Sequence, residues 1–324
     1  GKAGADLAQI LMSPDPNNRL PDEVPAYIPR PAPTPTELVM DEVALRASMP
    51  VQALRSFQSF SRETENLRDE IALRARALGS LLGWAVSPPS ETPVNGELGP
   101  HRNFDWLTME LAKVKAVRRA LGCTVNDVVL TIVTGAVRRF MIRRRVRPED
   151  IDFRVSAPVS VRNEGDTGKM GNKVSSWIVR LPIGEEEPKK QLAAIHEVTQ
   201  DLKDSKQALG VEMMMAAAEW TPGLLLSLGA RTASGPINMI VTNVPGPQFP
   251  LYMLGAKLLE SFPQVPLLEN TGIGVALFSY DGKICWGFNA DYALLPDLED
   301  FRFAVAEAFD DLCEAAGVGA SPAE

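Results

Sequence analysis

Between Ser13 and Glu37 the sequence reads SPDPNNRLPDEVPAYIPRPAPTPTE, and no other stretch restricts the fold as severely. Each proline fixes its own backbone torsion and removes a hydrogen-bond donor, so neither a helix interior nor a central strand can be built from such a run. Residues 13–50 are therefore expected to form an extended, polyproline-like tether between two lobes. On its N-terminal side GKAGADLAQILM enters a helical pattern (Leu7, Ile10, Leu11) with no cap, and the first residue is Gly1 rather than Met. Residues 1–12 read as the last helix of an N-terminal lobe, in a chain that starts inside a longer protein.

Beyond the tether, residues 51–102 read as a helical region followed by a loop. Leu54, Phe57, Phe60, Leu67, Ile71, Ala75 and Leu78 share a face from about Val51 to Val86, and SPPSETPVNGELGPHRN ends the region. Residues 103–324 read as a C-terminal α/β lobe in which helices and strands alternate. Helices are expected over 108–120, 124–145, 186–207, the Met-rich stretch VEMMMAAAEW, and Asp300 to Ala315, where Phe301, Val305, Phe309 and Leu312 recur at helical spacing. Strands are expected in IDFRVSAPVS, KVSSWIVRLPI and INMIVTN, and in GIGVALFSY and KICWGFNADY, which Asp281-Gly282 joins as a hairpin. At 324 residues with 45% hydrophobic content, the chain exceeds the size of one core, in keeping with two lobes.

Several functions are disfavoured at this level. The net charge of −8 argues against nonspecific attraction to nucleic acid or to an anionic membrane. Cys123, Cys285 and Cys313 lie far apart, indicating neither a disulfide framework nor a metal site, and a reducing, cytoplasmic compartment fits best. No Walker or G-x-G-x-x-G loop and no G-x-S-x-G elbow occurs. Only His101 and His196 are present. His101 lies in the loop GPHRN, as a loop residue or, alternatively, a substrate contact, and His196, inside a polar helix, reads as a structural residue; if the protein uses a histidine base for hydroxyl chemistry, that base is expected outside this chain.

The helix TVNDVVLTIVTGAVRRFMIRRR carries the sharpest question. Thr124 and Asp127 form a capping-box pattern, whereas Asn126 falls beside the apolar face Val125, Val128, Val129, Ile132, Ala136 and Phe140 without a capping duty. It either lines a site or points to solvent. Arg138, Arg139, Arg143, Arg144, Arg145 and Arg147 complement the helix C-terminus, with a grip on coenzyme phosphates or lipid head groups as the alternative. Met213 to Met215 read as core, or as the lining of a lipid-accepting channel.

TPVNGELGPHR, TVNDVVL, SAPVSVR, MGNKVSSW, TNVPGP, LYMLGAKL and ALFSYDGKICWGFNAD with a following PD occur in this order. In order and spacing they resemble the bacterial wax ester synthase/diacylglycerol acyltransferase family over nearly the whole chain. The resemblance implies the coenzyme A-dependent, chloramphenicol acetyltransferase-like fold, with two α/β lobes and a tunnel between them. This chain would hold the end of the first lobe, the crossover and the whole second lobe. Gly1 would close the family's H-H-x-x-x-D-G signature, placing the catalytic histidine on an upstream N-terminal segment that this chain needs as a partner.

The implied reaction moves a fatty acyl group from acyl-coenzyme A, a substrate rather than a bound cofactor, to a long-chain alcohol or diacylglycerol. Asn126 would aim its amide at the histidine or the oxyanion, with Asp127 holding it in register. Arg162 would pair with the signature Asp. Gly171, Asn172, Asn243, Pro245 and Gly246 form turns at strand ends where substrate is expected, and Ser279 and Asp291 line the tunnel or merely pack. With the cytoplasmic reading from the cysteines and the absence of a nucleic acid partner read from the charge, the resemblance leaves open peripheral contact with the inner face of the membrane or with lipid inclusions. Two alternatives stay open: a condensation-type acyltransferase using a carrier-bound thioester, and a non-catalytic acyl-binding half-protein.

Overall fold

The computed structural model of the protein describes residues 11–17, 31–44, 89–160, 174–204 and 237–319. The chain divides into two units, Gly1–Asn18 with Ala77–Glu324 and, separately, Arg19–Arg76. The helical region expected over 51–86, the Met213 to Met215 run, and Gly1 lie outside the described residues.

In the second unit, the tether reading fails locally. Residues 35–44 form a helix. Thr34 opens it: its backbone N–H donates to Glu37 Oε2 at 2.7 Å, and the Glu37 N–H donates back to Thr34 Oγ1 at 3.3 Å. Pro35 takes the first helical position, where no N–H is needed, and residues 36–44 contain no further proline. Proline density around a helix start had concealed a capping box.

The larger unit is built on one six-stranded sheet, β1 (Arg102–Glu110), β2 (Phe153–Ser160), β3 (Val174–Leu181), β4 (Met239–Pro245), β7 (Ile273–Tyr280) and β8 (Lys283–Asp291), in spatial order β1-β8-β7-β4-β2-β3. A small hairpin, β5 (Tyr252–Met253) with β6 (Ala256–Lys257), stands apart from it. The central strands β2, β4 and β7 run parallel, and β3, β8 and β1 add antiparallel pairs. Among the described residues, four long helices accompany the sheet: α1 (Leu111–Leu121), α2 (Val125–Arg143), α3 (Pro188–Asp204) and α4 (Leu298–Ala316).

Alternate residues of the strands, namely Phe153, Val155, Met239, Val241, Ile273, Val275, Leu277, Ile284, Trp286 and Phe288, join the helices in one hydrophobic core. The α2 helix is its centre. Residues 127 to 137 are buried without a break, because α2 is covered on more than one side. Thr131 and Thr134 hide their hydroxyls inside this helix by donating to the carbonyls of Asp127 and Leu130, each at 2.7 Å. Gly135 permits a close crossing with α4, since a Cβ there would lie 2.9 Å from that of Ala308.

The opposite face of the sheet is covered by a crossing segment around Val265. Asn289 donates to the Val265 carbonyl at 3.0 Å, and Val265 packs on Ile178, Ile237 and Ile240. Gly287 makes this crossing possible: a Cβ there would meet the Pro263 carbonyl oxygen at 1.9 Å. At the sheet end where β4 begins, buried Asn238 donates to Ser90 O at 2.8 Å and Asn95 Oδ1 at 2.9 Å, and accepts from the Arg154 N–H at 2.8 Å. The TPVNGELGPHR stretch is thereby stitched to the start of β4.

Most of the expected elements of this unit appear, with one correction and one addition. The residues expected to open a helix at 108 instead complete β1, which pairs with β8 through all nine of its residues before α1 begins at Leu111. Leu107 and Met109 face the helices while Phe104 and Trp106 stack on the other side, so apolar residues occupy both faces and erase the alternation that marks a strand. The addition is β5–β6, where Leu254 and Gly255 form the turn with φ of 51° and 84°. The Asp281-Gly282 turn has positive φ at both residues, 44° and 80°, as its sequence predicts. Among the described residues no single helix is long and apolar enough to cross a membrane.

Replacing Gly287 with Ala forces either β8 or the crossing segment to move. A loss of about 3 kcal/mol, the upper end for overpacking, is expected and is read as a lower urea midpoint with an unchanged slope.

Candidate active site

The first turn of α2 is densely hydrogen-bonded. Thr124 caps the helix: Asp127 N–H donates to Thr124 Oγ1 at 3.1 Å, and Thr124 N–H donates to Asp127 Oδ2 at 2.9 Å, completing the box. Capping explains these two bonds. It does not explain why Asp127 is only 1% exposed, since capping carboxylates ordinarily stay in water.

The reason lies on α3. His196 Nδ1 is 2.8 Å from Asp127 Oδ2, and Thr199 Oγ1 is 2.8 Å from Asp127 Oδ1. A carboxylate accepts only, so the bond to His196 assigns the ring proton to Nδ1. His196 Nε2 faces Gln200 Nε2 at 3.4 Å, and the ring is about one third exposed (36%). Burial by itself would push the Asp127 carboxyl up. The hydrogen bonds from His196, the Thr124 backbone and Thr199 outweigh it and hold the group below the ordinary carboxylate range.

Asn126 is half-buried, and its side chain has no hydrogen-bond partner among the described residues. Where it lies follows from topology. Beyond the C-terminus of α2, Arg144 donates to the carbonyls of Pro93 at 3.3 Å and Leu294 at 3.1 Å and pairs with Asp297, at the sheet end where β8 finishes and β2 begins. The helix therefore runs against the parallel strands. Nineteen residues of helix span about 28 Å and eight of strand about 27 Å, so the first turn of α2 reaches the C-terminal edge of β2, β4 and β7. That edge is where open α/β sheets build their sites.

Asn243 and Pro245, near the end of β4, belong to the same edge. Asn243 is half-buried, sits in register with Leu277 of β7, and has no side-chain partner among the described residues. Gly246 and Ser279 have structural duties. A Cβ on Gly246 would lie 2.4 Å from both the Phe278 ring and the Ser279 carbonyl, and Ser279 Oγ accepts from the Gly246 N–H at 3.3 Å and the Gln248 amide at 3.2 Å. Asp291, fully buried, accepts from the N–H groups of Gly99 at 2.8 Å and Ala293 at 2.9 Å and from Arg102 at 3.2 Å, which fixes a loop. Arg162, Gly171 and Asn172 lie outside the described residues.

The arginines at the end of α2 have protein partners. Arg138 reaches Glu149 at 3.0 Å and the carbonyls of Ile183 and Gly184, each at 3.1 Å; Arg139 pairs with Asp311; Arg143 donates to the Asp300 carbonyl at 2.9 Å. They staple α2 to α4 and to the loop before α3, so the phosphate-grip alternative does not describe these three or Arg144. The cleft of about 250 Å³ that Arg138 and Arg139 line with Thr131 and Gln191 is for the same reason not a ready anion site. His101 is exposed. The residue that sequence reasoning undervalued is His196: His196 and Thr199, one turn apart on the same helix face, were the available signal. No group of three or more metal-ligating side chains occurs among the described residues.

Comparison with known proteins gives two adjacent matches within one family. Residues 1–129 match the profile of the wax ester synthase/diacylglycerol acyltransferase catalytic domain, and residues 170–313 match that of the WS/DGAT C-terminal domain. A Mycobacterium tuberculosis protein named as a diacylglycerol O-acyltransferase is 32% identical over 250 residues, 75% of this chain and 49% of its own length. A Mycobacterium bovis protein so named is 30% identical over 244 residues, 73% of this chain and 52% of its own. The chain thus spans about half the length of these relatives. The solved wax ester synthase/diacylglycerol acyltransferase from Marinobacter aquaeolei VT8 superposes with a TM-score of 0.61 at 20% identity, covering 98% of this chain and 65% of that one. An NRPS cyclization-docking bidomain from Sorangium cellulosum does so at 0.53 and 15%, covering 81% and 51%. At these identities the two structures speak to the fold.

Because its folded-state carboxyl titrates below the unfolded value of about 3.9, Asp127 contributes stability that is complete above about pH 5 and is lost as the pH falls through the folded value. Replacing Asp127 with Asn leaves His196 and Thr124 facing a neutral amide, at a cost of roughly 2–4 kcal/mol. Denaturant midpoints from pH 7 down to pH 3 should show the two proteins converging; parallel curves would exclude this account.

Proposed function

The chain belongs to the wax ester synthase/diacylglycerol acyltransferase family, and on that premise we propose that the complete protein transfers a fatty acyl group from acyl-coenzyme A to the hydroxyl of a long-chain alcohol or diacylglycerol. The observation that carries the reading is Asn126, whose amide has no hydrogen-bond partner among the described residues and stands in a tightly bonded turn at the C-terminal edge of the parallel strands. A half-buried amide without a partner is costly in the free protein, and a substrate group that accepts from it relieves that cost.

The chemistry needs a base, an electrophile and an oxyanion donor. We assign the base to a histidine of the family's H-H-x-x-x-D-G signature, which these 324 residues do not contain. It takes the hydroxyl proton as the alkoxide oxygen attacks the thioester carbonyl carbon. The tetrahedral oxyanion then collapses, the carbon–sulfur bond breaks, and the coenzyme A thiolate leaves with the proton, giving an ester and free coenzyme A. Asn126 serves as a donor to the oxyanion or to the base, and Asn243 is assigned to substrate contact on the same edge. Arg162, Gly171 and Asn172 remain assigned by the family pattern, Arg162 as the partner of the signature Asp.

Contact with a lipid surface is part of this proposal. The β5–β6 turn presents Leu254, 73% exposed and in a left-handed backbone conformation, next to exposed Met253. A leucine costs about 1–2 kcal/mol in that conformation. The nearby lysines are paired, Lys257 with Asp281 at 3.1 Å and Lys283 with Glu260 at 2.9 Å, so attraction through this turn is apolar rather than electrostatic.

The complete protein should form wax ester or triacylglycerol from acyl-coenzyme A, and carrier-bound thioesters should not replace it. Asn126→Ala should lower kcat by about 10²- to 10³-fold, the usual effect of one lost oxyanion donor, at unchanged melting temperature. Full turnover in that variant would remove Asn126 from the chemistry. Leu254→Asp should weaken binding to zwitterionic phospholipid vesicles, and binding by the parent protein should survive about 0.5 M salt, because screening acts only on charge. Vesicle binding that is unchanged by the substitution would dismiss the turn as a lipid contact.

A further inference from the structure

The bonds around Asp127 exceed what capping requires. A capping box is complete with Thr124 and Asp127, typically contributes about 1 kcal/mol, and can do so in water. Here the carboxylate is 1% exposed, and the donor to Oδ1 comes from another helix. Oδ2 is shared between the Thr124 N–H at 2.9 Å and His196 Nδ1 at 2.8 Å. Remove α3 and one carboxylate oxygen loses its protein partner while the other keeps only the cap. Asn126, the adjacent residue, has no hydrogen bond of its own among the described residues. Among the described residues, the direction in which its side chain leaves the helix, the Cα–Cβ bond, is therefore what the backbone of its turn fixes.

We propose that His196 and Thr199 are positioning residues for the transferase reaction, clamping Asp127 from α3 so that the first turn of α2 holds the Asn126 amide in one direction. The inference rests on the acyltransferase reading of Asn126 and adds two residues on a different helix that act only through Asp127. Leu, the size of His without its donor, breaks the clamp at position 196; Asn keeps an N–H close to the place of Nδ1. Val breaks it at position 199 without changing shape, and Ser restores the hydroxyl.

The test uses the complete protein, with kcat, KM for acyl-coenzyme A, melting temperature and amide hydrogen exchange of residues 124–130 measured together. His196→Leu should lower kcat by about 10- to 100-fold, the scale of a small misplacement, leave KM within about twofold, and speed exchange in the first turn of α2. His196→Asn should recover most of kcat. In an Asn126→Ala background His196→Leu should cost less than about twofold more, since the residue through which it acts is already gone. The inference is overturned by an equal loss in both backgrounds, or by a normal kcat in a folded His196→Leu protein. If His196→Leu does not fold, Thr199→Val against Thr199→Ser makes the same comparison. If the parent protein transfers no acyl group, the functional reading has failed by itself, and the exchange measurement decides the clamp: unchanged exchange at 124–130 overturns it.

Discussion

One carboxylate sets the relation between the sheet and its helices. Asp127 lies at the point where α1 ends, α2 begins and the middle of α3 packs on it through His196 and Thr199, and it is buried with both oxygens occupied. Burying a charge without partners costs several kcal/mol, so the position tolerates an Asp only because Thr124, His196 and Thr199 converge on it. The three donors in turn fix the helix start, the rotation of α3 and the distance between the two helices. A cap that would be worth little on the surface has become a junction.

The remainder of the larger unit is arranged so that α2 can be apolar nearly all round. Its charged side chains are confined to the capping turn and the C-terminal part, where Arg138, Arg139, Arg143 and Arg144 reach carbonyls and carboxylates of neighbouring segments. Between them, Thr131 and Thr134 satisfy their hydroxyls within the helix, and Gly135 lets α4 approach. On the far face of the sheet, Gly287 and Asn289 hold the crossing segment against the strands. Fixed at both ends and packed on more than one side, α2 can present a side chain at the strand edge with little freedom to move.

The same arrangement separates residues that keep the fold from residues open to substrate. Ser279, Gly246 and Asp291 are committed to turns and loops. Asn126 and Asn243 are half-buried at one edge of the sheet, and their side chains have no hydrogen-bond partner among the described residues. Family membership says which reaction to ask about; the hydrogen-bond pattern says which side chains are free to take part in it.

The sequence alone determined what depends on neighbours a few residues away: the capping box at Thr124, the positive-φ turn at Asp281-Gly282, the apolar spacing of α4 and the alternation of β2. Each rests on a local hydrogen bond or a fixed periodicity. Where residues at a distance decide, local reading erred: β1 hid because both its faces are apolar, and the helix 35–44 hid among prolines whose position, not number, mattered. The pairing of Asp127 with His196, 69 residues away, could not be read from either segment alone; the spacing of His196 and Thr199 on one helix face marked only the α3 side of it. Only the packing of α3 on α2 brought an acceptor and a donor together, and turned a helix cap and a surface-looking histidine into one unit.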